Sequence, residues 1–317
     1  MKIYTTLPQD DLKKVPAAAI AAEDAGFDGL MGMENRHDPF LPLGVAATAT
    51  RRIGLLTGVA IAFPRSPMVM ANLGWDLQSA SDGRFVLGLG TQVRGHNERR
   101  FSVPWSAPGP RMREYIQALR AIWQCCKTGE KLQFEGKHYN FSLMTPAFVP
   151  EVMAAPPPAI TIGAVGPAML RVAAEMCDGV RLHPFCTKRY QENVVLPIML
   201  AGLEKAGRAR DGFEITGGGF IATGADEAAV EERLAWVRQR VAFYGSTRAY
   251  WPVLQEHGLE DLGLKLHAMV KEGKWQDLAD EITDDVLALF AVWGCHGEIR
   301  KRIADRFSGF SDSIYAS

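Results

Sequence analysis

One pattern recurs along this chain and restricts its fold more than anything else: a helical stretch, an Asp-Gly turn, then a short apolar strand. It is legible three times, in AAAIAAEDAGFDGLMGM (17–33), NLGWDLQSASDGRFVLGLG (72–90) and LRVAAEMCDGVRLHPF (170–185). Strands this apolar leave no face for water, so they belong to a parallel sheet covered by helices. With the remaining strand signals the expected set is 2–6, 28–32, 53–60, 85–89, 160–163, 179–182, 213–222 and a last strand near Ser313. An open doubly wound sheet uses the same units, but eight of them favour closure into a (β/α)8 TIM barrel, an α/β fold. The length of 317 residues suits one barrel domain spanning 1–317, since such barrels run to ~250 residues or more with insertions.

Two insertions interrupt the pattern. The segment at about 131–158 contains KLQFEGKHYNFSLM, which alternates around Glu135-Gly136 like a hairpin and ends in Pro156-Pro157-Pro158. The segment at about 243–285 reads as helical and carries Tyr244, Tyr250, Trp251 and Trp275. Long segments of this kind, at the C-terminal face of a barrel, usually shape a binding site. The sequence stops directly after the last strand, so no residues remain for a final helix. The seam beside that strand therefore needs other cover, and a homo-oligomer would supply it.

Composition excludes several classes. With 47% hydrophobic residues and 22% charged, the chain can bury a large core. A net charge of −1 without any long Lys/Arg block argues against nucleic acid as the main ligand. No apolar run reaches the ~20 residues that a membrane span needs, and MKIYTTLPQDD turns polar too early for a signal peptide. The five cysteines are irregularly spaced, with Cys125 and Cys126 adjacent. Reduced thiols in a cytoplasmic protein are the expectation.

In a barrel the chemistry sits where strands end. Those ends supply MGMENRHDPF with Glu34 and His37, TGVAIAFPRSP, the polar loop GTQVRGHNERR after the glycines Gly88 and Gly90, IGAVGPAML, and RLHPF with His183. In IGAVGP, Gly163 and Gly166 allow close backbone approach and Pro167 pre-sets a helix start. The free amides there suit a phosphate, although an ordinary strand-to-helix corner has the same spacing. His37 stands in a charged cluster, as an acid or base or as a solvated loop residue. No His-x-x-x-His or Cys-x-x-Cys pair, no Gly-x-Ser-x-Gly elbow and no Walker loop occurs. No metal site, serine nucleophile or nucleotide hydrolysis is expected.

Six segments in order, AGFDGLMGMEN, LLTGVAIAFPRSPMVMA, SDGRFVLGLGTQ, RMREYIQALRAIW, ITIGAVGP and AAEMCDGV, give the chain a resemblance, nearly end to end, to the bacterial-luciferase-like superfamily of TIM-barrel enzymes. Within it the chain is most similar to the branch that uses coenzyme F420. The resemblance implies an oxidoreductase moving a hydride between the deazaflavin and a small-molecule substrate. It implies Glu34 near the deazaflavin ring, and Gly58, Val59 and Ile61 in a segment behind it that commonly holds a non-prolyl cis peptide. It further implies Thr91, Gln92 and His96 on a cofactor-touching loop, and Val165, Gly166, Ala168 and Met169 on the phosphate-binding turn. Glu34 and His37 are the candidate catalytic residues; Arg94, Arg99 and Arg100 are local cations that could receive the cofactor's anionic tail or be ordinary surface charge. Two positions depart from the related sugar-phosphate dehydrogenases: Asn35 replaces their histidine and Val93 their glutamate. Alternative readings are an FMN-dependent monooxygenase using reduced flavin and O2, and a non-catalytic flavin- or ligand-binding barrel.

Overall fold

The computed structural model describes residues 1–316; residue 317, the last of the expected barrel, lies outside them. Eight parallel strands close on themselves: β1 Lys2–Thr6, β2 Gly29–Gly32, β3 Gly54–Thr57, β4 Phe85–Gly90, β5 Ala159–Ala164, β6 Gly179–Leu182, β7 Glu214–Gly217 and β8 Ser313–Tyr315. The order around the barrel is β3-β2-β1-β8-β7-β6-β5-β4, and β4 returns to β3 through Leu55↔Phe85 and Leu56↔Val86. The expected TIM barrel is present, with helices between the strands.

Aspartates that stand just before three strands do more than turn the chain. Asp28, just before β2, accepts the Ile3 N–H at 2.7 Å. Asp178, before β6, accepts from Ile160 N at 2.8 Å, and Asp312, before β8, from Ile215 N at 2.8 Å. Each carboxylate thus ties the start of its own strand to the start of a neighbour, satisfying a backbone donor at the rim that the ladder leaves over. Helix starts follow local rules as well. Ser66 caps Pro67–Ala80 by accepting from Val69 N, with Pro67 at the first position.

The seventh strand differs from expectation. Instead of one strand over 213–222, β7 stops at Gly217, and Phe220–Gly224 pairs in parallel with Ala291–Cys295 as a separate two-stranded sheet. The cause is the run Gly217-Gly218-Gly219. Gly217 and Gly218 have φ of 78° and 104°, and a Cβ on Gly218 would lie 1.6 Å from Gln191 Nε2. Only glycine turns the chain at this point. Strand Ala291–Cys295 and helix Ile299–Phe307 were not legible in the sequence. The seam at β8 also needs less than expected, because its outward side chain, Ile314, is 1% exposed within this chain.

Phe134–Glu135 and Asn140–Phe141 make the hairpin, with its turn at 136–139. The second insertion begins inside the long helix Glu227–Gly245 and continues as Trp251–Gln255 and Glu260–Lys271. Inside the barrel Tyr4, Met31 and Leu56 pack together with Val86 and Tyr315. A polar set shares that interior: Glu214 accepts from Tyr4 Oη and from Ser313 Oγ at 2.6 Å, and Arg181 donates to Thr161 Oγ1 at 2.8 Å. Among the described residues no helix is long and apolar enough to cross a membrane.

Candidate active site

The floor of the barrel mouth is built from glycines. After β3 the chain passes through a cis peptide bond between Gly58 and Val59 and resumes pairing with β4 as Ala60–Ile61. A Cβ on Gly58 would lie 1.9 Å from Met31 Sδ, and one on Gly90 would lie 2.5 Å from Val59 Cγ2. Gly163 faces the other methyl of Val59, at 3.6 Å from where a Cβ would stand. Val59 therefore lies between two strand ends that carry no side chain. Beneath it Thr57 Oγ1 donates to Gly88 O at 2.7 Å and accepts from Gly88 N at 2.8 Å, fixing β3 against β4. A side chain at Gly58 or Gly90 would not fit.

Glu34 anchors the rim. Its carboxylate accepts from Ile61 N at 2.6 Å and from Arg65 Nη1 at 2.7 and 3.0 Å. Arg65 also reaches Asp38 Oδ2 at 3.1 Å, lies over the Phe40 ring, and offers its carbonyl to Tyr115 Oη. Burial pulls the Arg65 guanidinium down, but the carboxylates of Glu34 and Asp38 outweigh it and hold it above its usual range. Arg65 lies in the strand-end segment TGVAIAFPRSP, and sequence alone gives it no role. A charged side chain two residues after Phe63 at a strand end was the available signal.

The other expected residues are only partly brought together. Glu34, Gly58, Val59 and Ile61 form one connected unit. His37 is exposed on the same loop, with no hydrogen-bond partner among the described residues, and Asn35 beside it offers its carbonyl to Arg100 Nη2 at 2.6 Å. Thr91 and Gln92 follow β4; Gln92 has φ 55°, and the buried Asn97 holds the Thr91 carbonyl at 2.9 Å. His96 is exposed on the short helix Arg94–Arg99. Of the arginines set against the cofactor tail, Arg94 pairs with Glu98 and Arg100 serves the loop of Asn35.

Val165 and Gly166 lead into helix Pro167–Met176, whose Gly166 cap supplies no side chain. The N–H groups of Ala168 and Met169 have no acceptor among the described residues, and nothing stands within 4 Å of a Cβ on Gly166. The Val165 carbonyl is held by Tyr190 Oη at 3.0 Å. A groove of 760 Å³ on the outer side of this helix also touches Ala168. Of its cations, Arg113 and Lys205 are paired with Glu175, and Arg171 is the third.

Opposite Glu34, the end of β6 contributes a feature the sequence showed only in pieces. The His183 ring packs against Tyr244 and Tyr250, with centroids 4.3 and 4.8 Å away. Phe185 lies 5.7 Å from Tyr250 and stacks on Phe290. Burial pushes the His183 imidazole down to about 3, so it is neutral at ordinary pH although part of its surface stays exposed.

Relatives support this architecture. The chain is 45% identical over 314 residues to an uncharacterized protein of Mycobacterium tuberculosis, covering 99% of this chain and 92% of that one. It is 31% identical over 294 residues to a 5,10-methylenetetrahydromethanopterin reductase of Archaeoglobus fulgidus, covering 89% and 82%. In fold it matches the coenzyme F420 dependent tetrahydromethanopterin reductase of Methanopyrus kandleri with TM-score 0.80 at 20% identity, over 99% and 92% of the two chains. Residues 2–313 match the pattern of the luciferase-like monooxygenases, and the chain belongs to that family.

Proposed function

We propose that this protein is an F420-dependent oxidoreductase that exchanges a hydride between the deazaflavin and a small organic molecule in the barrel mouth. One observation carries the reading: a side-chain-free floor around Val59, formed by Gly58, Gly90 and Gly163, opens beside the unpartnered amides of Ala168 and Met169. A flat ring fits the first and a phosphate the second. The relative from Archaeoglobus fulgidus, named a methylenetetrahydromethanopterin reductase, supports it.

When bound, F420 supplies a hydride donor or acceptor at C5 of its ring, chemistry that no side chain provides. The protein's part is placement. Glu34 and Arg65 lock Ile61, and with it the Gly58–Val59 segment on which the ring would rest. Thr91, Gln92 and His96 would border the ring, and Val165, Gly166, Ala168 and Met169 would receive the phosphate. With its carboxylate engaged by Arg65 and Ile61, Glu34 is a holding group in this reading. His37, exposed and unpartnered at the same rim, exchanges the proton. Asn35 and Val93, both exposed, offer no acid–base pair for a sugar alcohol. A cytoplasmic place, on cysteine usage, and self-association belong to the same reading.

Side-by-side titration of the purified protein with F420 and FMN tests it. Micromolar or tighter binding of F420 with weak FMN binding is expected. The reverse preference would move the reading to a flavin monooxygenase, and binding of neither would end the cofactor assignment.

A further inference from the structure

Three rings at the end of β6 carry polar atoms that the protein itself leaves unused. Inward and outward side chains alternate along a strand, so His183 projects into the mouth on the same face as Arg181, which bonds Thr161 inside the barrel. The Nδ1 of His183 accepts the Phe185 N–H at 3.0 Å, which leaves the proton of the neutral ring on Nε2. Among the described residues neither that N–H nor the hydroxyl of Tyr244 or Tyr250 has a hydrogen-bond partner, and none of the three is among the fully sealed polar atoms. The three rings form a tight triangle, Tyr244 to Tyr250 being 5.3 Å between centroids.

These donors are reachable from solvent and have no protein partner, and the rings that carry them pack together with Phe185 as an apolar cluster, so a ligand that enters the mouth can accept from them. The charge of that ligand is constrained as well. Burial alone accounts for the lowered His183, with no neighbouring carboxylate or cation acting on it. The charge acting on the two tyrosines is that of Arg240, which acts on Tyr244 and is itself exposed and laid over Trp236. An anion would lose its water in this pocket without gaining a countercharge.

We propose that His183, Tyr244 and Tyr250 are the recognition pocket for an uncharged, carbonyl-bearing substrate with an apolar ring or chain, its oxygen accepting from these neutral donors. The word substrate rests on the hydride-transfer reading above; the pocket does not.

The test is calorimetric titration of the full chain, with and without F420, using acetophenone, its hydrocarbon match ethylbenzene, and benzoate. Acetophenone is expected to bind about tenfold more tightly than ethylbenzene, the size of one good neutral hydrogen bond, with benzoate weakest. His183→Phe and Tyr250→Phe should each erase much of the acetophenone preference while leaving ethylbenzene and F420 affinities unchanged; His183→Gln, which keeps a donor, should retain part of it. Equal affinity for the three ligands, preference for benzoate, no acetophenone binding, or a preference untouched by His183→Phe and Tyr250→Phe would overturn the proposal. Because F420 binding is measured separately, a protein that selects acetophenone but ignores F420 keeps the pocket and loses the hydride-transfer reading. The opposite result does the reverse.

Discussion

Glu34 and Arg65 show how much of this site depends on a single ion pair. Glu34 is 7% exposed and Arg65 19% by side chain, so removing one partner strands a partly buried charge. Glu34→Gln should lower stability by about 1–3 kcal/mol, with Asp38 compensating in part. The urea midpoint reads this loss, and F420 affinity should fall with it because Ile61 loses its anchor. A variant with unchanged midpoint and affinity would remove Glu34 from the account. His183 makes a different prediction. Above pH 6.5, its unperturbed value, the ring is neutral whether the chain is folded or unfolded. As pH falls, the unfolded chain takes up a proton that the folded one refuses until about pH 3. Stability is therefore lost on acidification, at about 1.4 kcal/mol per pH unit for this group. Replacing His183 by Phe should leave a protein that loses about 2–3 kcal/mol less than wild type between neutrality and about pH 4.5. Equal acid sensitivity of the two proteins would contradict the burial of the imidazole.

At the scale of elements, the sequence spoke clearly where local chemistry and tertiary need agree. Helix Pro67–Ala80 and strand Phe85–Gly90 follow from a Ser-Pro start, an Asp82-Gly83 turn and an apolar run, and all three repeats of that pattern are found. The sequence spoke poorly where the need is purely tertiary. Nothing local says that Gly217-Gly218-Gly219 must pass over Gln191, so one strand was expected where two sheets divide it. The same holds for the site. Glycines at strand ends located the floor, whereas Tyr244 and Tyr250 reach His183 across about sixty residues of chain, and no spacing rule announces that. Asp28 and Asp178 were legible only as turn residues and Asp312 only as the edge of a weak strand signal; their clamping of neighbouring strands needs the closed sheet to be seen. Asp312→Ala should accordingly cost about 1–3 kcal/mol, because Ile215 N loses its acceptor and Arg210 its partner. Asp312→Asn, which can still accept from Ile215, should cost less in a denaturant titration. Equal costs would mean that the clamp is not what the carboxylate contributes.

The whole molecule depends on its two ends meeting. β8 supplies the strand between β1 and β7, through Lys2↔Ser313 and Thr216↔Ser313, and Ser313 also joins Tyr4 on the Glu214 carboxylate. Deleting residues 313–317 exposes two strand edges and leaves Glu214 short of a donor. The truncated chain should aggregate or lose F420 binding altogether, as read by light scattering and fluorescence titration; normal binding would show that closure is dispensable. The central claim is that this closed barrel seats a deazaflavin on its glycine floor. Crystals grown with F420 test it most directly. The account predicts the ring lying on Val59 between Gly90 and Gly163, with the phosphate at the amides of Ala168 and Met169. Cofactor bound elsewhere, or a mouth that stays empty under saturating F420, would contradict it.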